Sequence, residues 1–136
     1  MSDDAIENLS RLISSRYPDS QLAPVAEEHL QELQNDHPDV PEHLLAFYRR
    51  IGCGSVGPGR YMIHFATYPD EIYDEETAAD LGKIMIVGDN YAGDCDGYNI
   101  DQNWSFGTLY SSYCFAPAGA DYPTIVEWLL LLLGDD

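Results

Sequence analysis

The run from Lys83 to Ile100, KIMIVGDNYAGDCDGYNI, constrains the fold more than any other stretch of the chain. Four apolar residues, Ile84 to Val87, read as a buried strand, and Gly88 stops the run. Asp89, Asn90, Gly93, Asp94, Asp96 and Gly97 are residues of tight turns: glycine reaches positive φ without a clash, and Asp and Asn bond their own backbone. Tyr98-Asn99-Ile100 then resumes an alternating pattern. The predicted unit is a strand, an acidic glycine-rich loop and a returning strand. A lone hairpin is marginal in water, so further strands or a helix must cover it.

The flanking sequence offers that cover. Asp3 to Arg16 reads as a helix, with Ile6, Leu9, Leu12 and Ile13 on one face. A second helix is predicted from near Pro24 to just before Asn35, carrying Val25, Leu30 and Leu33 inward and Glu27, Glu28, Gln31 and Glu32 outward. A third opens at Asp39-Val40-Pro41-Glu42, shows Leu44, Leu45, Phe47, Tyr48 and Ile51, and ends at Gly52 as a left-handed cap. Residues 52 to 59, with four glycines and Pro58, read as an irregular loop. Arg60 to Phe65 reads as a strand, part of Tyr68 to Asp80 as an acidic surface helix, Trp104 to Gly107 as a turn and Thr108 to Tyr110 as a strand. Thr124 and Glu127 stand at capping-box spacing before a last helix, apolar on nearly every side, which is normally buried on several faces. Helices, then strands, then a helix predict one α+β domain over residues 1–136, with an antiparallel sheet of about four to six strands.

The charge narrows the function. The chain has 24 acids and 6 bases, a net charge of −18. The imbalance sharpens along the chain: residues 1–60 hold ten acids and five bases, and residues 61–136 hold fourteen acids and one base, Lys83. Nucleic acids and anionic lipid bind through Lys and Arg, so neither is an expected partner. A basic protein would be attracted and steered; plain solubility accounts for acidity equally well. Cys53, Cys95 and Cys114 are widely spaced with no C-x-x-C, the N-terminus lacks a basic and then apolar leader, and the apolar run Trp128 to Leu133 is far short of the ~20 residues a span needs. A cytoplasmic protein with free thiols is expected.

Signals for bond-making chemistry are missing. There is no G-x-S-x-G, S-x-x-K or H-E-x-x-H, and His29, His37, His43 and His64 lack metal spacing. Asp94-x-Asp96-Gly97 matches part of a calcium loop, but Ala92 and Asn103 fall where the first carboxylate and the bidentate glutamate belong. A turn held by Asp side chains is the preferred reading. Cys53 sits near a helix C-terminus, which raises a thiol pKa, so a packed, inert cysteine is expected. No enzyme activity, metal or cofactor is predicted.

Three segments in order, residues 40–57, 82–100 and 122–129, resemble the SUKH superfamily, which includes bacterial immunity proteins and fungal cell-wall-assembly regulators. The resembling features are a proline-started helix ending in a glycine-rich turn, a strand running into Gly-Asp-x-x-Gly-Asp, and a terminal helix with a Trp-Leu pair. The chain departs from the pattern at Cys53. The resemblance implies a twisted antiparallel sheet packed with helices, in which Gly88, Asp89, Gly93 and Asp94 carry a structural turn. It also implies, as for many bacterial members, a protein that neutralises a cognate toxin, often a nuclease; the acidic charge suits a face that occupies such a toxin's basic cleft. The alternative is a regulatory or scaffold module of the same fold with no toxin partner. The expected binding residues are Asp70, Glu71, Asp74, Glu75 and Glu76, with Asp89, Asp94 and Asp96 as a second cluster. A monomer or weak dimer is expected, the last helix being able to mark a dimer contact.

Overall fold

The computed structural model describes residues 2–57, 59–67, 76, 84–91, 94–109, 115–117 and 124–134. Their order is α1 (Ser2–Arg16), β1 (Gln21–Ala23), α2 (Glu27–Asp36), α3 (Glu42–Arg50), β2 (Cys53–Val56), β3 (Tyr61–Thr67), β4 (Ile84–Asp89), β5 (Cys95–Asn99), a short 3-10 turn (Ile100–Gln102), β6 (Ser105–Leu109), β7 (Phe115–Pro117) and α4 (Ile125–Gly134). The seven strands form one antiparallel sheet in sequence order, so every strand lies beside its neighbours in the chain. The α+β class is as predicted, with more strands than expected.

Side-chain alternation along β4 shows how the layers meet. Met85 and Val87 join the main core with Ile6, Leu9 and Ile13 of α1, Leu44, Phe47 and Tyr48 of α3, and Ile125, Leu129 and Leu133 of α4. Ile84 and Ile86, one residue out of phase, join a second cluster with Cys95 and Leu109, against which Phe115 packs. Successive strand residues point to opposite faces. β4 is therefore buried on both, which explains its unbroken apolar run. Each such side chain taken fully from water stabilises the fold by roughly 1.5–3 kcal/mol.

Long-range hydrogen bonds tie the helices to the rest of the fold. Tyr48, on α3, donates from its hydroxyl to the His64 carbonyl at 2.7 Å and accepts from the Ala66 amide at 3.1 Å. These backbone groups lie where β3 slips its register against β4, between Ile63 and Thr67. A bulge leaves ladder groups unpaired, and the Tyr48 hydroxyl satisfies two of them. Arg60 donates to the Leu132 carbonyl at 2.6 Å, and Tyr17 donates to Leu133 at 3.3 Å. The last carbonyls of a helix have no partner within it and carry partial negative charge, so a guanidinium there answers both needs.

Several predictions need correction. The second helix begins at Glu27, not near Pro24, because β1 occupies residues 21–23 and Val25 is already bonded to the Tyr48 carbonyl. The predicted loop from Gly52 contains β2. A Cβ on Gly54 would lie 2.0 Å from the Gln21 carbonyl oxygen, so glycine there admits the neighbouring strand. Gly52 does adopt the left-handed conformation, with φ +89°. Gly88 does not end its strand: a Cβ there would lie 2.3 Å from the Tyr61 hydroxyl oxygen, and the residue makes room for that ring. The turn predicted at Trp104 to Gly107 is β6 from Ser105 onward. The acidic surface helix predicted within Tyr68 to Asp80 lies outside the described residues except Glu76, which is helical and exposed.

Candidate functional site

The acids expected to bind fall into three situations. Asp70, Glu71, Asp74 and Glu75 lie outside the described residues, as does Gly93; Glu76 is exposed. Asp89 and Asp94 are half-buried at the ends of the β4–β5 connection. Asp89 Oδ1 accepts the Tyr91 amide at 2.9 Å, a side-chain-closed turn, while Oδ2 bonds His64 Nε2. The Asn90 amide donates to the Asp94 carbonyl at 3.2 Å, and the Asp94 amide donates to Asn90 Oδ1 at 3.4 Å. Side chains of Asp89 and Asn90 thus hold a turn here, whereas Asp96 and Gly97, expected in an Asp-held turn with Asp94, belong to strand β5.

Asp96 is a correction. It was expected on the surface with Asp89 and Asp94, but it lies within β5, 4% exposed. Its carboxylate accepts from the Tyr61 hydroxyl at 2.5 Å, the Thr108 hydroxyl at 2.8 Å and the Trp128 indole N–H at 3.0 Å. Register explains the geometry: Asp96 pairs with Thr108 across β5 and β6, on the face turned toward α4, where Trp128 waits. Burial holds its pKa above the ordinary carboxylate value against the pull of three donors. Burial, with the Asp96 charge second, also pushes the Tyr61 hydroxyl well above its usual range. The cluster is a polar bolt joining β3, β5, β6 and α4. The donors lie 35, 12 and 32 residues away in sequence, so no local pattern could reveal them.

Beside this bolt is a small cleft of about 120 Å³, lined by Asn90, Asp94, Asp96, Thr108, Trp128 and Leu132. Small-molecule sites commonly measure ~300–1,000 Å³, so it is too small for a substrate or cofactor body. Two wider surface grooves flank Arg50: one of about 210 Å³ includes Ser10, Leu22 and Pro24, and one of about 340 Å³ includes Ile6, Ala46 and Arg49.

Other polar side chains tie elements of the fold together. His43 Nε2 and the Tyr98 hydroxyl lie 2.8 Å apart, and that hydroxyl accepts the Ile125 amide at 3.0 Å at the start of α4. Burial lowers the His43 pKa, favouring the neutral ring. Thr124 donates to the Glu127 side chain and accepts the Val126 and Glu127 amides at 3.2 and 3.5 Å, the hydroxyl half of the predicted capping box. Burial pushes the Cys53 thiol up to about 11, so it stays protonated at neutral pH and is a poor nucleophile. Cys95 is buried, and neither it nor Cys53 forms a disulfide. Among the described residues no group of three or more His, Cys, Asp or Glu could hold a metal, and no helix is long and apolar enough to cross a membrane.

No family model, curated protein or solved structure matches the chain.

Proposed function

We propose that this chain is a protein-binding module that neutralises a basic partner, a cognate toxin of the nuclease kind, by presenting acids to a cationic cleft. The observation that carries the reading is the distribution of charge: one base against fourteen acids after Arg60. On the helical side Arg49 and Arg50 are engaged with Glu27 and Glu7, at 2.7 and 2.6 Å. The fold supports the reading indirectly, since the bonds that hold Asp89 and Asp96 come from neutral donors or an imidazole, with no lysine or arginine among them. The resemblance of residues 40–57, 82–100 and 122–129 to immunity proteins points the same way. The chain does no bond-making in this reading.

The test is co-expression with the product of any toxin-like gene found beside this one. Growth is restored by the wild-type chain, and association of the purified pair slows steeply as salt rises. Reversing Asp74, Glu75 and Glu76 together to Lys costs ~1–3 kcal/mol of affinity or more if one of them is a central anchor. A housekeeping protein as the tight partner, with no effect on toxin-stressed cells, would instead make the chain a regulatory module.

A further inference from the structure

The cleft between the β4–β5 turn and α4 has the dimensions and lining for one partner side chain. Its wall is Trp128 and Leu132, its rim is Asn90 and Asp94, and its floor includes Asp96. Three donors occupy three of the roughly four acceptor positions of a carboxylate. They also fix that carboxylate before anything arrives, so binding there need not order it. A volume of about 120 Å³ has room for a side-chain head group but not for a nucleotide or a sugar. Two exposed hydrophobic residues of the described chain are sequence neighbours of the cleft's lining residues. Tyr91, next to Asn90, is 49% exposed, and Leu131, next to Leu132, is 43% exposed; they are the two exposed large hydrophobics among the described residues. Tyr and Trp beside a desolvated pocket are the usual make-up of an interface centre.

We propose that this cleft receives an arginine side chain of a partner protein. The guanidinium would lie against the Trp128 indole, with Asp94 and Asp96 facing its charge, while Tyr91 and Leu131 meet the apolar surface around it. Arginine fits better than lysine because its planar, weakly hydrated head stacks on aromatic rings and donates in several directions. The inference rests on the protein-binding reading above and names the part of the surface that would hold the partner's central residue.

The probe is a short acetylated oligoarginine peptide, with oligocitrulline as a control of the same shape without the charge. Binding is followed by NMR at the Trp128 indole N–H and the Asp94 amide. The expected result is a saturable shift at both signals with oligoarginine and none with oligocitrulline. Asp94→Asn keeps the backbone bonds to Asn90 and should weaken binding at least about ten-fold, equivalent to ~1.4 kcal/mol. Glu28→Gln, which removes the same charge from exposed α2, should leave it unchanged. Equal weakening by both substitutions, or shifts that spare Trp128, would overturn the cleft and leave only diffuse attraction to an acidic chain. Failure of the two readings can be told apart. If Asp94→Asn leaves the toxin's affinity intact while reversal at Asp74, Glu75 and Glu76 abolishes it, the cleft proposal falls and the neutralising function stands.

Discussion

The first sixty residues and the remainder of the chain hold their acids in different ways. In the first part acids meet guanidinium groups on the surface: Glu7 with Arg50 and Glu27 with Arg49, every partner exposed. In the second part the described acids with resolved partners bond neutral donors or an imidazole: Asp96 with Tyr61, Thr108 and Trp128, and Asp89 with His64 and the Tyr91 amide. The two solutions differ in what they do for the molecule. Exposed ion pairs contribute little to stability, because water screens them and long side chains lose freedom. Buried donors left without an acceptor cost about 1–3 kcal/mol each, so a carboxylate that satisfies three of them is hard to replace. Neutral donors also leave the carboxylate charge standing. Sheet and field are thus built from the same residues, whereas two arginines of the helical side, Arg49 and Arg50, meet its own acids.

The sharpest way to break this comparison is to remove Asp96. Asp96→Ala leaves the Tyr61, Thr108 and Trp128 donors facing a hole and should cost about 3 kcal/mol or more, read from the urea midpoint of unfolding. Asp96→Asn should recover part of that, because the amide oxygen still accepts from the indole and the two hydroxyls can turn. A loss no larger than that of an exposed acid would show that the bolt holds nothing. Next in size is Gly88→Ala. Its methyl would enter the space of the buried Tyr61 ring, and overpacking of this kind costs about 1–3 kcal/mol. A neutral result would mean that the ring, and with it the Asp96 bond, moves freely.

These two positions also show where sequence reasoning reached and where it stopped. The four helices were legible because Ile6, Leu9 and Ile13, or Leu44, Phe47 and Tyr48, recur at helical spacing and are buried as expected. The strand at Ile84 to Val87 was legible from its apolar run. Glycines and aspartates were misread, because both have a second use. Gly54 and Gly88 serve close approach, one to a carbonyl and the other to a ring, and the approaching groups come from residues 33 and 27 positions earlier, Gln21 and Tyr61. Asp96 looks like a turn residue between Cys95 and Gly97, but its partners arrive from β3, β6 and α4. Composition predicts turns well when the reason is local, as at Asp89, Asn90 and Asp94. It fails when the reason lies across the sheet. The acidity of the second half was fully legible. Which of its carboxylates face outward was not, since that depends on register.

A pH titration sharpens the link between the two parts. His43, from α3, meets Tyr98, from β5, and burial holds its pKa below 6.5. The unfolded chain then binds the proton more readily than the folded one, so the contribution of His43 is complete above pH 6.5. It is lost as pH falls through the folded value. Wild type should therefore lose thermal stability more steeply below pH 6.5 than His43→Gln does. Asp96 acts in the opposite sense at lower pH: its folded pKa is raised above 3.8, so its contribution is present below that value and lost as pH rises through the folded one. Identical slopes for wild type and His43→Gln below pH 6.5 would place the imidazole in a wetter setting than its contacts imply.

The smallest effect belongs to the helical side. Glu7→Gln removes the Arg50 partner on the surface, where the Arg50 hydrogen bond is the main cause of a lowered Glu7 pKa. It also removes one of 24 acids from a chain of net charge −18. The lost pair and the relieved repulsion oppose each other, and both fade with salt, since the screening length is about 10 Å at 0.1 M. The urea midpoint should therefore stay where it is at moderate salt and move only slightly at low salt. If Glu7→Gln cost as much as Gly88→Ala, the helical pairs would be structural anchors after all. The contrast between acids paired with arginine on the helical side and acids bonded to neutral donors or an imidazole on the sheet side would then lose its energetic half.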